Sequence, residues 1–114
     1  MADCLFCKIV AGEIPVKRVA EDEHALAFPD INPQAPVHLL VIPKKHIASL
    51  NEVQAGDWDL IGRVHALAVK AAETAGVAKT GFRTLINTGK DAHQLVFHVH
   101  VHVLGGRPIG WPPD

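Results

Sequence analysis

The chain has 114 residues, of which 48% are hydrophobic and 20% charged, and its formal net charge is −1. That is the balance of one globular domain covering 1–114, and it gives no electrostatic ground for nucleic acid or an anionic membrane as a main partner. No apolar run approaches the roughly 18 residues of a membrane span, and no basic, apolar leader follows Met1, so the expected compartment is the cytoplasm.

In chain order, Leu5, Phe6, Ile9 and Val10 recur at helical spacing, which predicts a short helix over Cys4–Val10 stopped by Gly12. Val16–Ala20 and Ala25–Phe28 read as short strands joined by an acidic turn, Glu21-Asp22-Glu23. A Pro- and Asn-rich loop, Pro29–Pro36, feeds the apolar run His38–Ile42, a central strand closed by Pro43. The clearest helix spans Asp57–Ala75, with Asp57 as cap, a stripe of Leu60, Val64, Leu67 and Ala71, and Gly76 as stop. Phe82–Asn87 is a further strand, 88–95 a polar loop, and Val96–Leu104 the last strand. One long helix set apart from hairpin-linked strands predicts an α+β fold with an antiparallel sheet of about five strands and one long and one short helix. Such a sheet in so short a chain leaves an edge or face to cover, so a homodimer is expected.

Eight histidines in a chain with four Phe, two Trp and no Tyr exceed what packing needs. Three of them alternate in the last predicted strand. Side chains at i and i+2 of a strand share a face about 6.5–7 Å apart, so His98, His100 and His102 point one way and Val99, Val101 and Val103 the other. Two chemistries suit such a row. Two or three imidazoles can bind a metal, or one can attack phosphorus while its neighbours fix its tautomer and manage protons. The strand by itself does not separate them. Asn87 and Gln94 supply neutral donors nearby, and Gly105-Gly106-Arg107 supplies flexible backbone. Cys4 and Cys7, three positions apart, are either half a metal site or an idle reduced pair.

The segment His98-Val99-His100-Val101-His102-Val103-Leu104-Gly105-Gly106 resembles the signature of the histidine triad (HIT) family. The likeness continues through Phe28–His38, Val41–Ile47, Asn87 and the ending Gly106–Pro113, whose Trp111-Pro112-Pro113 is similar to the Hint-like purine nucleoside phosphoramidase branch. The resemblance implies a homodimeric hydrolase that cleaves purine nucleoside 5′-phosphoramidates to the nucleoside monophosphate and a free amine, with no organic cofactor. His100 would be the nucleophile that carries the nucleotidyl group, held by the His98 carbonyl and the His38 ring. His102 would bind phosphate oxygen and help protonate the leaving group.

The same resemblance assigns Leu5, Phe6, Ile9, Phe28 and Ile31 to the purine, Asp30 to the ribose hydroxyls and Asn87 to the phosphate side. Core packing is the equal reading for Phe6, Ile9, Phe28 and Ile31, and a turn is the commoner use of Asp30. Two positions depart from the branch. Leu95 replaces a serine that donates to the phosphate region, and His93 replaces a loop glycine, which puts substrate range and rate in doubt. Microbial relatives in the family bind structural zinc through positions matching Cys4, Cys7, His46 and His98, so a structural Zn²⁺ on those four is expected. His24 and His65 are expected to be solvated or satisfied locally. The competing readings are a dinucleoside polyphosphate hydrolase or nucleotidyl transferase of the same family, a nucleotide-binding regulatory module with weak catalysis, and a metalloenzyme.

Overall fold

The computed structural model describes residues 3–113; Met1, Ala2 and Asp114, to which the expectations about a leader and the outer domain bounds extend, lie outside them. Five strands form one sheet: β1 (Ala20–Glu21), β2 (Ala25–Pro29), β3 (Val37–Pro43), β4 (Phe82–Leu85) and β5 (Val101–Gly105). Their spatial order is β1-β2-β3-β5-β4, and each neighbouring pair is antiparallel. Two helices accompany it, α1 (Leu5–Val10) and α2 (Trp58–Thr74), with two single 3₁₀ turns, Leu50–Glu52 and Ala55–Asp57, leading into α2.

Strand alternation divides the core in two. Ala25 and Ala27 of β2, Leu39 and Val41 of β3, and Val101 and Val103 of β5 face α2, meeting Val64, Leu67, Ala68, Ala71 and Ala72. The alanines on both sides let helix and sheet approach closely, while Leu39, Leu67 and the valines fill the remaining space. The intervening residues Leu26, Phe28, Leu40 and Ile42 face the other way and bury Phe6 and Ile9 of α1. Six residues are too few for a helix to persist alone. Burial of Phe6 and Ile9, and the Cys4 sulfur accepting from the Cys7 N–H at 3.4 Å, hold α1 in place.

Several predicted bounds change. Val16–Val19 is not strand; β1 begins at Ala20 and takes in Glu21, and the turn is made by Asp22, whose carboxylate accepts from the N–H groups of His24 and Ala25. β4 stops at Leu85, short of Asn87. Asp57 occupies the cap position of α2, but its carboxylate takes Lys45 Nζ at 2.7 Å and caps nothing. The largest change concerns the histidine segment. β5 starts only at Val101, so His98 and His100 precede the strand and only His102 lies in it.

Candidate active site

His38 leaves β3 on the α1 face, and His102 leaves β5 on that same face. His38 pairs with Leu104 and Leu40 with His102, so the two histidines are diagonal neighbours across the β3–β5 ladder, close enough for long side chains to meet. Their rings touch, His38 Nε2 to His102 Nδ1 at 2.9 Å. Residues 96–100 reach the same face without ladder pairing. The Val99 N–H donates to the Ile47 carbonyl at 2.7 Å, and the Val99 side chain packs with Ile47 and Ile61. Alternation survives there for a local reason, and it buries His98 and His100 beside Phe6.

Carbonyls only accept and backbone N–H groups only donate, so the contacts fix the neutral tautomers. His100 Nδ1–H donates to the His98 carbonyl at 2.8 Å, which leaves the lone pair on Nε2. The Gln34 N–H donates to His38 Nδ1 at 2.9 Å, so the His38 proton sits on Nε2 and is given to His102 Nδ1. Neutral His102 therefore offers an Nε2–H. His98 Nε2–H donates to the Pro43 carbonyl at 2.8 Å, leaving Nδ1 as a lone pair.

Burial keeps all four rings neutral. It lowers His100 below the ordinary 6.5, against the partial offset of the His98 carbonyl and the Asp30 carboxylate. Burial lowers His38 as well, with Asp30 opposing. His102 is pushed down to about 4 by burial and then by His100 and His38, and His98 to about 4 by burial and then by His46 and His100.

A second cluster adjoins the first. Cys4 Sγ lies 3.4 Å and Cys7 Sγ 3.6 Å from His98 Nδ1, Cys7 Sγ lies 3.3 Å from His46 Nδ1, and the two Nδ1 atoms are 3.3 Å apart. A tetrahedral zinc with bonds of about 2.3 Å to sulfur and about 2.0–2.1 Å to nitrogen would set its ligands roughly 3.3–3.6 Å apart for N–N and N–S pairs. These four residues could hold a metal ion. Asp30, His38 and His102 also converge within 4.8 Å. There the proton inventory opposes a metal, because His38 Nε2 carries the hydrogen that the Gln34 N–H forces on it.

The expected site residues fall into groups. His38, His98, His100 and His102 come together as described, but His38 meets His102 rather than His100. Phe6, Ile9 and Phe28 are each at most 4% exposed and belong to the core, with Phe6 edge-on to Phe28 and to His100. Leu5 is half-exposed and Ile31 fully so. Asp30 Oδ1 accepts from the Asn32 N–H, and Oδ2 lies 3.3 Å from His38 Nε2. Asn87 is half-buried and Leu95 exposed. His93 adopts φ +66°, a left-handed conformation that glycine enters at lower cost. Gln94, expected as a donor to the site, is consumed elsewhere: its Nε2 donates to the carbonyls of Ala48 and Val96, and its Oε1 accepts from the Gly89 N–H. His65 donates within α2 to the Ile61 carbonyl, and His24 lies beside Glu23, as their local readings required. Gln34 and the Pro43 carbonyl were not foreseen, since backbone groups leave no mark in side-chain spacing. Two surface cavities of about 370 and 400 Å³ contain neither His100 nor His102 in their walls; the second reaches Asp30 and His38 from the α2 side, beside Lys17 and Thr74.

The HIT domain family matches residues 11–109. The chain belongs to the HIT family. Among its relatives, an uncharacterised HIT-like protein of Synechococcus elongatus is 50% identical over 111 residues, covering 97% of this chain and 96% of that protein. The purine nucleoside phosphoramidase of Escherichia coli K12 is 44% identical over 108 residues, covering 95% and 91%. A crystal structure of a HIT family hydrolase from Legionella pneumophila superposes with a TM-score of 0.93 at 49% identity, over 98% of this chain and all of that one. A histidine triad protein from Clostridium difficile gives the same TM-score at 44% identity, over 96% of each chain. The protein is a HIT family hydrolase with the α+β sheet expected of it. No helix among the described residues is long and apolar enough to cross a membrane.

Proposed function

We propose that this hydrolase cleaves purine nucleoside 5′-phosphoramidates. The observation that carries the reading is the His100 ring, whose Nδ1–H is committed to the His98 carbonyl so that its Nε2 lone pair is free. Burial keeps that lone pair unprotonated near neutral pH, as a nucleophile needs. The likeness to the E. coli phosphoramidase supports the choice of substrate.

In this reading His100 Nε2 forms a bond to the α-phosphorus as the P–N bond to the amine breaks. The amine takes up a proton and leaves, water then attacks the nucleotidyl-histidine, and the nucleoside monophosphate departs with His100 restored. His102 presents its Nε2–H to a phosphate oxygen. In the free protein it is neutral, so the anionic substrate itself must raise its proton affinity before it can protonate the amine. Asp30 faces the ribose, and exposed Ile31 and Leu5 face the purine over the Phe6–Phe28 floor; Asn87 lies toward the phosphate, at the mouth bordered by His93 and Leu95.

Three further parts belong to the reading. Cys4, Cys7, His46 and His98 hold a structural zinc, which would tie α1 to the sheet; the spacing of their donor atoms supports it. Two free cysteines suited to such a site fit a reducing cytoplasm. The chain acts as a single-domain homodimer, supported by the open edge of β4 and by exposed Leu95 and Phe97.

Incubation with adenosine 5′-phosphoramidate, with amine release followed and the protein mass recorded, tests the chemistry. An adenylyl adduct lost in His100→Ala is expected, and equal rates for wild type and variant would sink it. Elemental analysis should find one zinc per chain, absent from Cys4→Ser, with turnover partly retained; sedimentation reads the dimer.

A further inference from the structure

The tautomers of His38 and His102 are set from one side by the backbone N–H of Gln34, in an exposed loop between β2 and β3, while the Asp30 carboxylate, 3.3 Å from His38 Nε2, favours the same form from the other. Something must hold that loop. At its start Asp30 Oδ1 accepts from the Asn32 N–H, and the Gln34 side chain donates to the Asn32 carbonyl at 3.0 Å. At its end the support comes from the other end of the chain. Arg107 Nη2 donates to the Gln34 carbonyl at 2.9 Å across 73 positions, while Nη1 donates to the Pro108 carbonyl at 2.9 Å. Gly106, at φ +91°, lies so close to Pro36 that an added Cβ would be 2.9 Å from the Pro36 Cβ. Residues 106 and 107 therefore press on the loop from two sides.

The contacts close a ring. His102 sits on β5, Arg107 stands two residues beyond the end of β5, and Arg107 holds Gln34, which holds His38, which holds His102. We propose that Arg107 is a positioning residue for the reaction: by gripping the Gln34 carbonyl it keeps the Gln34 N–H on His38 Nδ1 and so fixes the tautomers of His38 and His102. Without it the Gln34 N–H is free to turn away, and His38 can carry its proton on Nδ1. Its Nε2 would then meet His102 Nδ1 lone pair to lone pair, unless His102 also switched tautomer and surrendered its Nε2–H. The geometric part stands alone; the kinetic part rests on the phosphoramidase reading.

The experiment uses protein labelled with ¹⁵N-histidine, in which long-range ¹H–¹⁵N spectra report the tautomer of each ring. In the wild type both His38 and His102 should carry their protons on Nε2. In Arg107→Ala an Nδ1–H form should appear at both, and kcat for adenosine 5′-phosphoramidate should fall about two- to ten-fold with KM little changed, the scale of one hydrogen bond. Arg107→Lys, which can still donate to the carbonyl from a single point, should recover part of both readouts. Unchanged ring signals in Arg107→Ala overturn the proposal, and so do shifted signals with an unchanged kcat or a loss carried by KM alone. A wild type without turnover whose tautomers still respond to Arg107→Ala would instead sink the phosphoramidase reading and leave the positioning role standing.

Discussion

The His100 ring donates from Nδ1 to the carbonyl of His98, two residues back along the same segment, at 2.8 Å. A nucleophile tied to its own backbone in this way keeps its tautomer as long as the segment keeps its path. Because burial also lowers its proton affinity below the ordinary 6.5, the acid limb of activity moves down with it. We expect kcat/KM for adenosine 5′-phosphoramidate to stay level from neutral pH to below 6.5 before it falls. His100→Ala should lower it by roughly 10³-fold or more, the scale on which loss of one member of a catalytic unit is measured. A rate that halves at or above 6.5 would contradict the first expectation.

Burial of neutral His102 makes folding pH-dependent. Its proton affinity drops from 6.5 in the unfolded chain to about 4 in the folded one, so between those values the unfolded chain binds more protons. Stability is then full above 6.5, declines as pH falls toward about 4, and levels off below. Urea midpoints measured across that range should trace the decline, and His102→Asn should show a shallower slope than wild type.

Gln94 is 5% exposed and its side-chain amide joins three backbone groups, the Gly89 N–H and the carbonyls of Ala48 and Val96. In Gln94→Leu the Gly89 N–H and the carbonyls of Ala48 and Val96 lose that partner, and a buried group left unpaired costs about 1–3 kcal/mol. Unfolding free energy should drop by about 2–4 kcal/mol in urea titrations. A loss under about 0.5 kcal/mol, the scale of an ordinary surface substitution, would show that water replaces the amide.

At His93 the backbone holds a left-handed conformation that costs a side-chain-bearing residue about 1 kcal/mol, against the flexibility glycine adds to the unfolded chain. His93→Gly should therefore be neutral or stabilising by up to about 1 kcal/mol in the same titrations. Leu95 is 75% exposed, so Leu95→Ser should leave stability nearly unchanged and raise turnover by restoring a hydroxyl donor. A slower Leu95→Ser enzyme would show that the leucine is adapted to this substrate.

What the sequence made legible follows from which forces act locally. Val64, Leu67 and Ala71 recur at helical spacing because one stripe of α2 is buried, and β3 reads as central because both its faces are covered. The four potential metal ligands were legible through family likeness, with no local pattern linking Cys4 to His98. The start of β5 was not legible. Alternation of histidine and valine at 98–100 has the period of a strand, but it arises there from a single bond to Ile47 and from Phe6 packing on the rings. Nor could spacing assign His38 to His102, because the meeting depends on the register of two strands more than sixty residues apart in the chain. Asp57 and Gln94 looked like a cap and a free donor, and each was claimed by a distant partner instead, Lys45 and Ala48.

His98 serves two clusters with different atoms. Its Nδ1 faces Cys4, Cys7 and His46, while its carbonyl takes the His100 proton. An ion held by that ring would restrict the same peptide that orients the nucleophile, and metal binding and substrate binding would then share one residue as their junction. Linkage then runs both ways: whatever the ion contributes to ordering the substrate site, a bound substrate must return as tighter hold on the ion.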